Sequence, residues 1–127
     1  MRKFRKAFTM VELIFVVVVI GILAGIAIPK FAVTRDDAII SKARTTVGAL
    51  RTAIGMERQK RILKGDFSDI TGAEAENLLE YDLDSNYWSR TNDTFTFTLH
   101  GNSCDFKVEN NKLIKQNGCG ISGLNDL

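Results

Sequence analysis

Ala7-Phe8-Thr9-Met10-Val11-Glu12-Leu13 opens the stretch on which the fold of this chain turns. Behind it, Leu13 to Ile28 is sixteen residues without a polar side chain, closed by Pro29-Lys30. Ahead of it stand Arg2, Lys3, Arg5 and Lys6. From Phe8 to Ile28 are twenty-one residues, which as a helix rising about 1.5 Å per residue extend about 31 Å. That matches a bilayer hydrocarbon core of about 30 Å. One residue does not suit an ordinary span. Glu12 lies one turn inside the apolar segment, where an ionisable group costs roughly 2.5–3.5 kcal/mol and by default marks function.

Two plainer readings meet difficulties. A secretory signal peptide also has a basic start and an apolar run, and Gly25-Ile26-Ala27 offers a small-x-small site. Here, however, the run is too long, carries Glu12 and is followed directly by Pro29. A plain signal anchor leaves Glu12 without an explanation.

The segment K-A-F-T-M-V-E-L-I-F-V-V-V-V-I-G-I-L-A-G-I-A-I-P-K-F, residues 6–31, resembles the class III signal of type IV pilins and type II secretion pseudopilins. The resemblance covers roughly the first thirty residues and is highly specific. It implies that a prepilin peptidase cuts between Ala7 and Phe8 and methylates the new amine of Phe8. Glu12 then matches the family's glutamate at the fifth mature residue, and Pro29 its helix proline. The chain departs from the family in one place: Ala7 stands where Gly is usual before the cut. The resemblance further implies that Glu12 of an incoming subunit meets the Phe8 amine of its neighbour. Phe8 and Glu12, four residues apart, are expected on one helix face. Neutralising two isolated charges in an apolar setting would supply a driving force and a register.

About ninety-five residues remain for a soluble part, one small domain near the size where a core alone is marginal. The formal charge of +2 includes four positives of the leader. Residues 30–64 hold nine basic and three acidic groups, whereas residues 65–127 hold four and eleven. A basic stem thus carries an acidic head, which favours head-to-stem contacts or contact with anionic lipid or DNA, or is simply a solvated helix flank. The positive-inside rule keeps the Arg/Lys cluster cytoplasmic and the C-terminal part outside the inner membrane. Cys104 and Cys119 are an even pair in a small domain facing an oxidising space, so a disulfide is expected. Closing about fifteen residues, it contributes about 3 kcal/mol in the chain-entropy model.

Along the stem, Ile39, Ala43, Val47, Leu50 and Ile54 recur at helical spacing and form one apolar face, with Arg44, Arg51 and Arg58 in a stripe at its flank. One long helix is predicted from about residue 9 to about 63, kinked at Pro29. Gly21 and Gly25 make a G-x-x-x-G, which serves either close helix packing or local unwinding during assembly. A loop follows from Gly65 to Gly72, then a short helix at about 73–80 capped by Thr71, then an irregular stretch from Tyr81 to Arg90. Trp88 is read as core. From Thr94 the period changes to two, with Phe95, Phe97 and Leu99 on one face. Gly101-Asn102 makes a turn, Cys104, Phe106 and Val108 face inward next, and Asn110-Asn111 suits a two-residue hairpin with positive φ. Lys112 to Gln116 completes three antiparallel strands, whose apolar face the stem helix covers. The expected fold is therefore α+β and pilin-like: a long N-terminal helix on a small three-stranded antiparallel sheet. Its parts are a leader at 1–7, a transmembrane assembly helix at 8–29, an amphipathic stem at 30–64 and a periplasmic head at 65–127.

No catalytic constellation is legible, so no enzyme and no cofactor are expected. His100, the sole histidine, reads as a solvated turn residue. Nucleophile elbow, phosphate loop and HExxH are all missing. Asp82, Asp84 and Asn86 have the spacing that opens a calcium loop, but Tyr87 replaces its Gly and Asp93 its final Glu,. An acidic solvated loop is the better reading. The expected function is a structural subunit of a pseudopilus of a type II secretion-type or competence system, with a true type IV pilin as the alternative. The resemblance implies as partners the prepilin peptidase, other copies and related pilins or pseudopilins, an inner-membrane assembly platform and the inner membrane itself. A DNA-binding minor subunit is a third reading, which the basic flank supports only weakly.

Overall fold

Residues 7–127 are described by the computed structural model, and they enter helix almost at once. The leader's basic cluster at residues 2–6 lies outside the described residues. Helix α1 runs Met10–Leu63 with Pro29 inside it. Proline removes one backbone donor, and here the ladder continues beyond it. Two units are distinguished, one reaching Ala38 and the other Ile39–Leu127.

In the first unit α1 is apolar on every side from Leu13 to Ile28 and almost wholly exposed. In the second, α1 is amphipathic in the way its sequence predicts. Ala43, Val47, Leu50 and Ile54 are buried, and Ile39 packs against the same core. A short helix α2, Gly72–Asn77, follows the loop. It is shorter than expected but capped as expected. The Thr71 hydroxyl accepts from Glu74 N at 3.3 Å, while Thr71 N donates to the Glu74 carboxylate at 2.8 Å. This is the reciprocal capping box, which satisfies two donors at the helix start.

The sheet has four antiparallel strands in the order β1-β2-β3-β4, not three. They are β1 Trp88–Thr91, β2 Thr94–Leu99, β3 Asn102–Glu109 and β4 Lys112–Lys115. The additional strand is β1, in the stretch read as irregular. Its sequence shows no alternation because Trp88 alone is buried and the next three residues are exposed. It is a strand because its backbone pairs with β2, Trp88 opposite Phe97 and Thr91 opposite Thr94. The remaining strands follow the alternation. Phe97 lies opposite Cys104, Phe95 opposite Phe106 and Val108 opposite Leu113. Asn110 and Asn111 take φ of 51° and 60° in the β3–β4 hairpin. The β2–β3 turn is centred one residue earlier than expected, on His100 and Gly101, with φ of 50° and 79°. Leu99 already pairs with Asn102.

Phe95, Phe97 and Phe106 are the largest side chains fully buried in this core. Each contributes about 1.5–3 kcal/mol relative to leaving it exposed. Trp88 closes the edge of the cluster, its ring centroid 5.2 Å from Phe97 and 6.1 Å from Phe106. It is a core residue. Cys104 of β3 is joined to Cys119 by a disulfide, which ties the glycine-rich tail to the sheet. Ile121 and Leu124 of that tail are themselves buried.

Two arginines of the predicted stripe hold the tail. Arg44 makes paired contacts with the Asp126 carboxylate at 2.7 and 3.1 Å and also donates to the Gly123 carbonyl. Arg51 donates to the carbonyls of Leu113 at 3.3 Å and Leu127 at 2.6 Å. Farther along, Arg61 bridges Glu57 at 3.1 Å and Glu74 at 2.9 Å, tying α1 to α2. The Thr71 N–H, followed by the Arg61 guanidinium, holds the Glu74 carboxyl below its ordinary range. Arg44 does the same for Asp126. Depressed values mean that these carboxylates stabilise the fold fully above the ordinary carboxylate pKa of about 4. The contribution is lost as pH falls through the folded values.

Two outcomes follow from this packing. A Cβ on Gly72 would lie 2.5 Å from the Asn92 carbonyl oxygen and 2.7 Å from Asp93 Cα. Gly72→Ala is therefore expected to lose about 1–3 kcal/mol in urea unfolding of the detergent-solubilised chain. In the same assay, stability should fall as pH drops through and below the ordinary carboxylate range of about 4, and Glu74→Gln with Asp126→Asn should flatten that decline.

Candidate functional site

The N-terminal segment has no partner among the described residues that could explain its composition. Every residue from Ala7 to Gly25 is exposed. Phe8 is 83% exposed, Phe15 68% and Ile28 69%. A contiguous apolar surface of this extent marks a membrane or protein interface. α1 is long and apolar enough to cross a membrane, and none of its most apolar eighteen-residue window is buried.

Within this surface, Glu12 is the one ionisable side chain between Phe8 and Ile28. It is exposed, in the first turn of α1. Thr9 stands immediately before the helix. Its hydroxyl accepts from the Glu12 backbone N–H at 3.2 Å, and its carbonyl accepts from Leu13 N at 3.1 Å. Thr9 is thus the N-cap, a role the T-x-x-E spacing could have disclosed. Glu12 accordingly occupies the third helical position, where a carboxylate also suits the positive end of the helix dipole. Phe8 lies ahead of the cap, outside α1. The relation expected of Phe8 and Glu12 on one helix face is not formed here, because helical geometry begins at Met10. Ala7 and Phe8 are both exposed in non-helical backbone. A bond so placed is open to a peptidase.

The head contains no comparable centre. Asp84 accepts from Asn86 N at 3.1 Å and Asn86 Nδ2 at 3.0 Å, and lies 3.7 Å from Lys42 Nζ. The Asn86 amide is directed at Asp84 as a donor, and Lys42 supplies the neutralising charge. Among the described residues no group of three or more His, Cys, Asp or Glu is placed to hold a metal ion. Asp82, Asp84 and Asn86 form a polar loop with internal hydrogen bonds. His100 sits in the β2–β3 turn. The basic flank is largely committed to internal contacts, with Arg44, Arg51 and Arg61 engaged as described above. Sequence spacing revealed the stripe but not its acceptors, which lie 62 to 82 residues away for Arg44 and Arg51.

Comparison with known proteins bears on the same segment. Residues 2–28 match the family model described as the prokaryotic N-terminal methylation motif. The chain is 36% identical over 75 residues to a fimbrial protein of Moraxella nonliquefaciens, covering 59% of this chain and 48% of that protein. It is 43% identical over 54 residues to the type IV major fimbrial protein FimA of Dichelobacter nodosus, covering 42% and 35%. It is 44% identical over 48 residues to the type IV narrow pilus major component PilA5 of Thermus thermophilus, covering 38% and 41%. The matched part thus spans half or less of the length of each of these relatives. No solved structure matches.

If Thr9 sets the start of α1, Thr9→Ala should fray its first turn at a cost of about 0.5–2 kcal/mol. Faster amide exchange at Glu12 in micelles, with exchange at Leu50 unchanged, would be the observation.

Proposed function

We propose, on the premise of the prokaryotic N-terminal methylation motif at residues 2–28, that the chain is a structural subunit of a type IV pilin-like or pseudopilin-like filament assembled from the inner membrane. The observation that carries this reading is an exposed apolar helix with a single carboxylate, Glu12, one turn from the processing motif. Prepilin peptidase cuts between Ala7 and Phe8 and methylates Phe8. The apolar part of α1 holds the subunit in the inner membrane as a single pass, with the leader cytoplasmic and the head periplasmic. An assembly platform then transfers that helix from lipid to a bundle of like helices.

Glu12 gives this transfer its register. In lipid its charge is costly. Beside the Phe8 amine of a neighbouring subunit both charges are neutralised, and only one axial offset between subunits achieves that. Cutting at Phe8 also leaves Thr9 in place, so the helix cap survives processing. Pro29 marks the lower end of the stem. The role is non-catalytic, as likeness to structural fimbrial proteins supports.

The system served is a finer matter. The printed names of the relatives, fimbrial and pilus components, favour a surface fibre. The short hairpins of the head suit a periplasmic pseudopilus of a secretion or DNA-uptake system. Fibres sheared from the native bacterium separate the two: abundant chain beginning at N-methylated Phe8 is the fibre result. Mature protein confined to the envelope is the pseudopilus result. Chain still beginning at Met1 would remove the basis for processing. Nucleic acid has less support as a partner, because Arg44 and Arg51, two of the three arginines that suggested it, have acceptors within the head.

Glu12→Ala should still insert and be cleaved, yet enter filaments poorly, with yield reduced on the order of tenfold or more, as expected when a buried charge loses its partner. Mass spectrometry of the membrane and fibre fractions separates processing from assembly. Normal incorporation of the variant would sink the proposed pairing.

A further inference from the structure

The part of α1 that covers the sheet has a groove along each flank. One, of about 640 Å³, lies between Lys42, Thr46 and Ala49 of α1 and the loop at residues 79–84. The other, of about 500 Å³, lies between Arg51, Gly55 and Arg58 of α1 and the β3–β4 hairpin at Asn111 and Lys112. At 3.6 residues per turn the two sets of α1 positions fall about half a turn apart. The grooves therefore face opposite ways.

The second groove is a cationic slot with an apolar floor. Ile54 and Leu113 are buried beneath it, and Ile62 lines its far end. Arg58 and Lys112 form no ion pair among the described residues. Gly55 is the unusual member. A glycine in a helix interior is destabilising relative to alanine, yet a Cβ there would meet nothing within 4 Å. Packing inside the chain does not require it. Its effect is to leave the slot open beside the two cations.

The loop bordering the first groove carries the complementary features. Glu80, Tyr81 and Asp82 are all exposed, Tyr81 by 78%. Asp84 is paired with Lys42, whereas Glu80 and Asp82 form no ion pair among the described residues. An aromatic ring thus stands between two carboxylates, where the slot offers an apolar floor between two cations.

We infer that the Glu80-Tyr81-Asp82 loop of one copy docks in the slot of a second copy. The ring lies over Ile54 and Leu113 in the space left by Gly55, and the carboxylates meet Arg58 and Lys112. The contact rests on the filament reading above. Because loop and slot lie on opposite flanks of one helix, a single molecule cannot join its own pair, and the contact is heterologous. Repeated from copy to copy, a heterologous contact extends into a filament when its rotation does not close. The desolvated ring anchors the contact, and the charges select its orientation.

The test is charge exchange in the full chain, expressed in its native host and scored by fibre or pseudopilus yield. Glu80→Lys with Asp82→Lys, and separately Arg58→Glu with Lys112→Glu, should each reduce yield on the order of tenfold, since like charges then face each other. All four changes in one chain restore complementarity and should recover most of the yield. As a second measurement, a photoactivatable benzoylphenylalanine at position 81 of assembled filaments should cross-link to residues 54–62 or 111–113 of another copy. Unchanged yield from both paired variants, or cross-links confined to other regions, would overturn the contact while leaving the filament reading intact. Absence of any filament from the unaltered chain would overturn the filament reading, and the contact with it.

Discussion

An apolar helix that nothing among the described residues covers is the constraint to which the rest of the molecule answers. From Phe8 to Ile28 the side chains offer no hydrogen bonds to water apart from Thr9 and Glu12, and removing that surface from water is strongly favourable. In the proposed filament cycle, lipid covers it in one state and neighbouring helices in another. These two environments are similarly apolar, so burial alone does not favour assembly over the membrane. A polar distinction between them is needed. In the proposed filament Glu12 supplies it, at a position where Thr9 already fixes the backbone.

Much of this was legible in the sequence, because the decisive signals are local. The length of the apolar run, the basic leader, Glu12 and the period-three-to-four pattern from Ile39 to Ile54 are each read from a continuous stretch of sequence. The strict alternation of Phe95, Phe97 and Leu99 placed the central strand, and the paired asparagines placed a hairpin. Strand β1 was not legible, because a strand with one inward residue carries no alternation of its own. Its existence follows from hydrogen bonding to β2 and from the Trp88–Phe97 contact. The Asn92-Asp93 pair, with Asn92 at a φ of 54°, was the local sign that a strand precedes β2. The start of α1 lies one residue beyond the predicted residue 9 for a related reason: apolarity extends to Phe8, but the cap determines where helical geometry begins.

The arginine stripe shows where local reading ends. Spacing of seven put Arg44, Arg51 and Arg58 on one flank, and an exposed basic flank suggests anionic partners. Two of the three are instead occupied by acceptors from the tail, which no periodicity links to the helix. A disulfide from Cys104 to Cys119 brings that tail alongside, so one covalent closure and two guanidinium clamps act on the same short segment. Only Arg58 keeps its charge facing outward, and it does so next to a glycine that the helix does not need.

The two edges of the sheet carry a further consequence. β1 and β4 are each four residues long and bear Arg90, Lys112 and Lys115. Short, charged edge strands resist the addition of a foreign strand. In the proposed role the subunit is crowded at a membrane in many copies, where backbone zippering into cross-β aggregates is a constant risk that these edges oppose. In the proposed filament, copies of the head would then meet through side chains, leaving association reversible and open to control by a few surface charges.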